Sequence, residues 1–209
     1  EDQGYFFVGA TLPEGATLGT SSLRRRAFAL ARRPDLKVVE FRGNVQTRLK
    51  KLGEGVADAT FLASAGLNRL SLEEKVGRAL DPNTFLPAVG QGILGIAAYP
   101  DQLDDDVLKC VASLNDVSAE RAAIAERAAL YELDGSCRTP IAAHLFHEGT
   151  GVYRLVVRTA DPSGTPFYEA EETLEGLELF LQDFHEMGLS AGRKLREQAG
   201  GKLPHLETE

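Results

Sequence analysis

The chain has 209 residues, a formal net charge of -8 and a hydrophobic fraction of 43%. It is long enough for two hydrophobic cores. No apolar run approaches the ~20 residues of a membrane span, so we expect no membrane partner. Two cysteines without a Cys-x-x-Cys pair argue against a disulfide framework and favour a reducing compartment, the cytoplasm. The four histidines lack metal-ligand spacing, so no metal site is expected.

Positive charge is concentrated between Thr20 and Lys51. This segment holds ten Lys and Arg residues against only Asp35 and Glu40, a local balance of +8 in an acidic chain. Such segregation predicts an anionic partner for the segment.

The same segment predicts alternating strands and helices. A strand ends near Gly19, and a helix follows until Pro34. Its apolar face is expected to hold Leu23, Ala27, Leu30 and Ala31. Further strand candidates cover 37–41 and 57–63, each followed by helical residues. This alternation predicts a parallel sheet, whose ligands bind beyond the carboxyl ends of the strands.

Polar residues collect at those predicted strand ends. The hydroxyls of Thr20, Ser21 and Ser22 lie at a helix N-terminus, which attracts anions. Five arginines fall at or just after strand ends and are expected to converge on one cleft: Arg24, Arg25, Arg42, Arg48 and Arg69. Three others, on the outer face or last turn of the first helix, are expected to be solvated: Arg26, Arg32 and Arg33.

The identity of the anion is not decided by these residues alone. Arginine binds carboxylate or phosphate through two parallel hydrogen bonds. No glycine-rich nucleotide-binding pattern is present. The acidic chain and the few aromatics of the basic segment, Phe28 and Phe41, argue against nucleic acid. A polycarboxylate therefore fits at least as well as phosphate.

The second half of the chain predicts a helix over 116–133, with a buried face of Val117, Ile124, Ala128 and Tyr131. Gly135 fits the position just past the helix end, where positive φ favours glycine. Thr139-Pro140 then requires extended backbone. Cys137 is thereby placed in a short loop, either exposed as a covalent attachment point or buried, as free cysteines usually are. Cys110, in an apolar run, is expected to be structural.

The C-terminal residues predict a small α+β unit. Strand candidates cover 141–146, 153–159 and 167–173, separated by glycine-containing turns, and a helix is predicted over 174–198. The expected result is a three-stranded antiparallel sheet with helices on one face.

Six sequence motifs, in this order and spacing, resemble the porphobilinogen deaminase (hydroxymethylbilane synthase) family. The motifs are Gly19-Thr20-Ser21-Ser22-Leu23-Arg24-Arg25, Arg42-Gly43-Asn44-Val45-x-Thr47-Arg48-Leu49, Ala65-Gly66-Leu67-x-Arg69-Leu70, Leu86-Pro87-Ala88-Val89-Gly90-Gln91-Gly92, Ala125-Glu126-Arg127-Ala128 and Gly135-Ser136-Cys137-x-x-Pro140-Ile141.

This resemblance implies a transferase of tetrapyrrole (heme) biosynthesis. Enzymes of the family join porphobilinogen molecules head to tail, release ammonia at each step and free the linear hydroxymethylbilane. Growth starts on a dipyrromethane cofactor, made from the substrate and attached by a thioether to the cysteine that matches Cys137. The implied partners are porphobilinogen and the growing linear polypyrrole, bound by a full-length monomer, with no nucleic acid or metal.

Site residues also follow from the resemblance. Besides Cys137, the implied cofactor-binding residues are Thr20, Ser21, Ser22, Arg24, Arg25, Arg42, Gly43 and Asn44. The implied substrate-binding residues are Arg48, Arg69 and Gln91. The physical reason is that each pyrrole ring brings two carboxylates, which a low-dielectric cleft must neutralise.

One departure concerns the catalytic residue. The family's acid/base aspartate belongs to a Lys-Asp pair in an N-terminal segment, and residues 1–17 contain no such pair. The chain therefore resembles the C-terminal part of the enzyme and is expected to be inactive alone. The implied fold is α/β: a periplasmic-binding-protein-like parallel or mixed sheet domain over 1–92, a return segment of the first domain over 93–114, and a small α+β domain over 115–209 that carries Cys137.

A non-catalytic binding module for a polycarboxylate ligand is the alternative interpretation. The βα pattern and an arginine-lined cleft suit both functions. Cys137 distinguishes them, because a pure binding module has no need of a thiol at that position.

Overall fold

The described residues form two sheets, one mixed and one antiparallel. The computed structural model describes residues 12–72, 77–133, 135, 139–201 and 203, and the backbone of residues 5–8. The predicted α/β class is confirmed, with parallel strands in the N-terminal half and a separate three-stranded antiparallel sheet in the C-terminal half.

The N-terminal half is built on the mixed sheet. Its strands are β1 (Tyr5–Val8), β2 (Thr17–Gly19), β3 (Lys37–Val39), β4 (Ala59–Ala63) and β5 (Arg78–Leu80). Its helices are α1 (Leu23–Arg32), α2 (Val45–Gly53) and α3 (Ser64–Asn68). The strand order is β3-β2-β4-β1-β5. Strand β2 pairs in parallel with β3 and β4, whereas β1 runs antiparallel to β4 and β5. The three parallel strands therefore end at one edge, where α1, α2 and α3 begin.

The buried face of α1 differs from the predicted one. Ala27, Phe28 and Ala29 are buried, whereas Leu23, Leu30 and Ala31 are only half-buried. Phe28 sets this rotation of the helix, because its ring packs edge-on against Phe85, with centroids 6.3 Å apart.

The Arg33 side chain is 40% exposed, in line with its predicted solvated position, but it also forms an ion pair. Its guanidinium forms a two-pronged contact with Asp35, Nε to Oδ1 at 2.7 Å and Nη2 to Oδ2 at 2.6 Å, and also donates to the Pro13 carbonyl at 3.0 Å. Asp35 accepts a further hydrogen bond from the Gly15 backbone at 3.0 Å. The Arg33–Asp35 pair therefore joins the turn between α1 and β3 to the loop that precedes β2. Arg26 and Arg32 are exposed, as predicted.

We expect the free energy of unfolding of Asp35→Asn to fall less steeply on acidification than that of the wild type. Hydrogen bonds from Arg33, and then from Gly15, hold the pKa of Asp35 well below its usual range. A depressed folded-state pKa contributes stability above the unfolded value of about 3.9, and that contribution is lost as pH falls below it. Urea unfolding between about pH 6 and pH 3 should therefore show a steeper loss for the wild type than for Asp35→Asn. Arg33→Leu should weaken the pH dependence of the free energy of unfolding in the same way. The same pH dependence in the wild type and both variants would show that the Arg33–Asp35 ion pair does not stabilise the fold.

The C-terminal half forms the second sheet with two helices on one face. It comprises α5 (Val117–Glu132), β6 (Ile141–Gly149), β7 (Val152–Ala160), β8 (Phe167–Glu175) and α6 (Leu181–Gln198), with antiparallel strand order β6-β7-β8. This confirms the predicted α+β unit, although α6 begins later than expected. The reason is that β8 continues to Glu175, and Asp183 caps the helix by accepting a hydrogen bond from the Phe180 backbone at 2.7 Å.

Alanines, not large apolar residues, face inward on α5. Val117 and Tyr131 are 53% and 80% exposed, which contradicts their predicted burial. The buried positions include Ala122, Ala125, Ala128 and Ala129. Helix α6 requires small residues there, because a Cβ on its Gly188 would lie only 2.2 Å from the Ala125 carbonyl oxygen.

Gly135 lies one position later than predicted. Leu133 caps α5, and the Gly135 backbone donates to the Leu130 carbonyl at 3.0 Å, so the glycine is the second residue past the cap. A Cβ here would lie 2.3 Å from Leu130 Cδ1 and 2.7 Å from Ile141 Cδ1. Close approach, rather than positive φ, therefore accounts for the glycine.

The two halves share a packed interface. Ala142, Val156 and Ala160 of the second sheet belong to the same buried cluster as Leu18 and Phe28. Polar contacts surround it: Arg158 Nη1 donates to the Asn83 carbonyl at 2.8 Å, and Arg154 Nη2 donates to Asn83 Oδ1 at 2.8 Å. The antiparallel sheet is therefore anchored to the turn that follows β5.

Residues 93–114 expose much of their apolar surface. This stretch includes α4 (Asp105–Ser113), and none of the nine residues of this helix, all within the described ranges, is buried. Large apolar side chains are exposed at Leu94 (92%), Ile96 (59%), Tyr99 (75%), Val107 (44%) and Leu114 (66%). Cys110, which was expected to be structural, is also exposed on α4 in this chain. Its apolar run forms one side of a helix that no other described element covers.

Candidate functional site

The predicted edge of the sheet carries most of the predicted site residues. Gly19 on β2 is in register with Val39 on β3 and Thr60 on β4, so β2 and β3 end at the same level, and β4 continues in the same direction to Ala63. From Gly19 the chain enters α1, and from Val39 it enters α2. The N-termini of these two helices, whose first N–H groups have no partner within the helical hydrogen-bond ladder, therefore lie at the same edge of the sheet.

The three hydroxyl residues build the loop before α1. Thr20 Oγ1 accepts a hydrogen bond from the Ser22 backbone at 3.2 Å, and Ser21 Oγ accepts one from the Phe41 backbone at 2.9 Å. Ser22 is the N-cap of α1 and accepts from the Arg25 backbone at 3.4 Å. Because each oxygen acts as an acceptor, each hydroxyl keeps its own hydrogen for donation to an anion.

Gly43 and Asn44 shape the start of α2. Gly43 has a φ of +128°, and a Cβ on it would lie 2.7 Å from Thr47 Cγ2, so glycine is required on both counts. Asn44 is the N-cap: its Oδ1 accepts from the Thr47 backbone at 2.8 Å and from Thr47 Oγ1 at 2.9 Å. This second helix N-terminus is therefore rigidly presented.

Asn44→Ala is expected to lower the free energy of unfolding by about 1 kcal/mol, because the Thr47 N–H loses its acceptor. Asn44→Asp should leave stability nearly unchanged, since aspartate is an equally good N-cap. Urea unfolding at neutral pH tests both variants. Equal losses in the two would show that capping is not the role of this side chain.

Arg25 and Arg48 are the central pair of positive charges. Arg25 Nη1 donates to the Phe61 carbonyl at 3.0 Å, and Arg48 Nε donates to the Gly43 carbonyl at 2.9 Å. Burial, and then the nearby positive charge of Arg25, lower the pKa of the Arg48 guanidinium. Both side chains are half-buried. Two partly desolvated cations that repel each other form a site that a bound carboxylate stabilises.

Arg24 lies deeper than its neighbour. It is 7% exposed, its Nη1 donates to the Leu86 carbonyl at 2.6 Å, and its guanidinium carbon lies 5.9 Å from the ring centroids of Phe28 and Phe85. The side chain thus ties α1 to Leu86, the residue before the loop Pro87–Gly92 that holds Gln91. Its predicted role in cofactor binding stays a prediction, beside this structural one.

Arg42 and Arg69 occupy exposed positions. Arg42 is 80% exposed, and its Nε donates to Glu40 Oε1 at 2.5 Å. Arg69 is the C-cap of α3, where its backbone N–H donates to the Ala65 carbonyl at 3.1 Å, and its side chain is exposed. Glu40 partly neutralises the positive charge of Arg42.

Cys137 lies outside the described residues, and its predicted role as the attachment point stays a prediction. The described residues on either side are anchored: Gly135 packs against Leu130 and Ile141, and the Ile141 backbone donates to the Thr139 carbonyl at 2.8 Å. The catalytic aspartate expected from the family pattern also stays a prediction. Gln91 is half-buried, with its backbone N–H donating to the Ala88 carbonyl at 3.0 Å.

Glu126 is the residue that sequence analysis missed. It is 1% exposed, although it is a carboxylate. The signal was present, because Glu126 lies one turn from Ala122 and next to Ala125, on the alanine face of α5. A glutamate at such a position needs partners inside the protein.

Comparison with known proteins identifies the family. Residues 5–109 match the family model described as "Porphobilinogen deaminase, dipyromethane cofactor binding domain". The chain belongs to the porphobilinogen deaminase family. The family resemblance is thereby confirmed, and residues 5–109 are its cofactor-binding domain.

Named porphobilinogen deaminases are similar over most of the chain. The protein from Nitrobacter winogradskyi is 49% identical over 193 residues, which cover 92% of this chain and 58% of that protein. The protein from Paracoccus denitrificans is 45% identical over 199 residues, 95% of this chain and 60% of that protein. The chloroplastic protein from Oryza sativa is 43% identical over 194 residues, 91% of this chain and 52% of that protein. The chain thus spans less than two thirds of the length of these relatives.

The residues of this porphobilinogen deaminase domain fit a dipyrromethane group. Acetate and propionate side chains make that group a polycarboxylate, and the edge of the sheet offers the matching donors: Arg25, Arg48, the Ser22 hydroxyl and two helix N-termini. Within the described ranges, no three His, Cys, Asp or Glu side chains are grouped to hold a metal ion. None of the described helices combines the length and apolarity needed to cross a membrane.

Proposed function

We propose that the protein containing this chain condenses porphobilinogen head to tail into hydroxymethylbilane, with release of ammonia at each step. The observation that carries this proposal is the match to the family's cofactor-binding domain, in which Arg25 and Arg48 are half-buried in the first turns of α1 and α2. A site of this charge holds the carboxylates of pyrrole rings while the chain grows.

The residues take distinct roles in this proposal. Arg25, with the Ser22 and Asn44 helix ends, holds carboxylates of the dipyrromethane primer, and Arg48 binds those of the incoming unit. Arg42 also holds carboxylates of the primer, and Arg69 binds those of the growing chain at the exposed rim. The primer, when bound through Cys137, supplies the terminal pyrrole ring to which each new unit is joined. The acid/base aspartate lies in a segment that precedes these residues in the family.

We further propose the domain organisation 1–92, 93–114 and 115–209, with a periplasmic-binding-protein-like arrangement of the first two. The exposed apolar residues of 93–114 support it, because such a surface is typical of a buried domain contact. The first domain of the full-length protein would cover α4 and complete the cleft.

The acidic net charge of -8 supports a protein that does not bind nucleic acid, and we propose a cytoplasmic monomer.

Incubation of the full-length protein with porphobilinogen tests the function. We expect ammonia release and, after acidification and oxidation, uroporphyrin absorbance. We expect neither from the 209-residue chain alone, because it contains no Lys-Asp pair of the kind that carries the family's acid/base aspartate. Full-length protein that binds porphobilinogen without releasing ammonia would instead be the non-catalytic polycarboxylate-binding module.

A further inference from the structure

Glu126 joins three separate parts of the fold. It lies on α5 with 1% of its surface exposed, and both carboxylate oxygens are used. Oε2 accepts a hydrogen bond from the Gly90 backbone at 2.7 Å, and Oε1 accepts one from the Leu145 backbone at 3.1 Å. His144 Nδ1 lies 3.4 Å from Oε1. The carboxylate therefore connects helix α5, strand β6 and the loop Pro87–Gly92.

The loop itself is docked on the C-terminal domain. Val89, and Ile93 just after the loop, pack against the buried cluster of that domain. Gly90 has a φ of +68°, and its carbonyl accepts from the Ile93 backbone at 3.1 Å. At the start of the loop, Arg24 Nη1 on α1 donates a hydrogen bond to the Leu86 carbonyl at 2.6 Å. The loop thus connects α1, through Arg24, with α5, through Glu126. The Glu126 carboxylate binds the backbone of Gly90 in the middle of the loop.

We infer that Glu126 is a positioning residue that holds the Pro87–Gly92 loop, and through Gly90 its neighbour Gln91, in the geometry that binds substrate. This inference rests on the proposed function and on the substrate-binding role that the family resemblance implies for Gln91. A carboxylate suits the role because it only accepts hydrogen bonds and can hold two backbone N–H groups from different elements at once. An apolar residue of similar volume would fill the space without holding the loop.

Hydrogen exchange of the full-length protein tests the structural part. Glu126→Met keeps the side-chain length and removes both acceptors, so exchange in a peptide covering 86–93 should become at least about tenfold faster. Glu172→Met is the matched control, because Glu172 is a largely buried carboxylate of the same domain whose partners are Ser190 and Lys194. It should leave the loop unchanged. Unchanged exchange of 86–93 in Glu126→Met would overturn the inference.

Steady-state turnover of porphobilinogen tests the functional part. Glu126→Met and Gln91→Ala should each lower kcat/KM by about tenfold, and the double variant should lose little more than Gln91→Ala alone, because one residue acts through the other. Losses that multiply in the double variant would overturn the positioning role. So would full activity of Gln91→Ala.

A second variant covers the case in which Glu126→Met does not fold. Val89→Ala removes apolar contact between the loop and the C-terminal cluster and leaves α5 unchanged. It should therefore also speed hydrogen exchange of residues 86–93 and lower kcat/KM. Wild-type protein that releases no ammonia would defeat the proposed function. Wild-type turnover with an unperturbed loop in the variants would defeat only the role of Glu126.

Discussion

Cys137→Ser in the full-length protein is expected to abolish both the covalent adduct and the formation of hydroxymethylbilane. A thiolate is a far better nucleophile than a serine hydroxyl, and only sulfur can form the thioether that anchors the primer. Without the primer, no chain can be started, so turnover should fall to the uncatalysed background. Intact mass measurement should show the wild type heavier than its sequence by one dipyrromethane unit and the variant at its sequence mass. Ehrlich's reagent should give a pyrrole colour with the wild type only.

Cys110→Ser is the matched control for this experiment. Cys110 lies on α4, away from the loop that holds Cys137, and it is the second cysteine of the 209-residue sequence. The control variant should keep the adduct and near-wild-type activity. An adduct that survives Cys137→Ser, or that is lost in Cys110→Ser, would move the attachment point away from the loop after α5.

The local fold of the N-terminal half was predictable because its signals are short-range. The hydroxyl residues after Gly19 mark a helix start, and Asn44 marks another, so strand and helix alternate visibly along the sequence. The place of β1 was not predictable. Its antiparallel pairing with β4 and β5 joins residues far apart in sequence, and pairing partners depend on tertiary contacts rather than on strand composition.

The error on α5 has a specific physical origin. Helical periodicity favours the face with the largest apolar side chains, which is why Val117 and Tyr131 were expected to be buried. The close approach of α6 through Gly188 and Gly192 leaves room only for alanines on the contacting face. A sequence pattern does not show how near the neighbouring helix comes.

Residue type was predicted better than residue environment in the arginine segment. Consecutive residues on a helix point in directions about 100° apart, so Arg24, Arg25 and Arg26 have three different surroundings. Arg24 is buried against Phe85, Arg25 is half-buried at the sheet edge and Arg26 is exposed. Only the position of the helix on the sheet decides which of the three faces the cleft.

Arg25→Leu and Arg48→Leu, in the full-length protein, are expected to block primer assembly or stall chain growth. Each removes one partner of a partly desolvated ion pair with a substrate or primer carboxylate. Leaving a buried charge unpaired costs about 3–5 kcal/mol, against about 0–1 kcal/mol for an exposed pair. Since both side chains are half-buried, we expect at least the lower cost of the buried case, about 10²-fold in turnover. Native mass spectrometry after addition of porphobilinogen should show chains without primer or with short intermediates.

Arg26→Leu tests whether carboxylate binding depends on the position of the guanidinium or only on the total positive charge of the segment. It removes the same charge from the neighbouring position of α1, where the side chain is exposed, and should leave turnover within about twofold of the wild type. Arg24→Leu should behave differently from both, because loss of the contact with Leu86 lowers the free energy of unfolding as well as turnover. Equal loss of turnover in Arg25→Leu and Arg26→Leu, with stability unchanged in both, would mean that total charge rather than the position of the guanidinium binds the carboxylates. In that case the assignment of Arg25 and Arg48 to the cleft would be wrong.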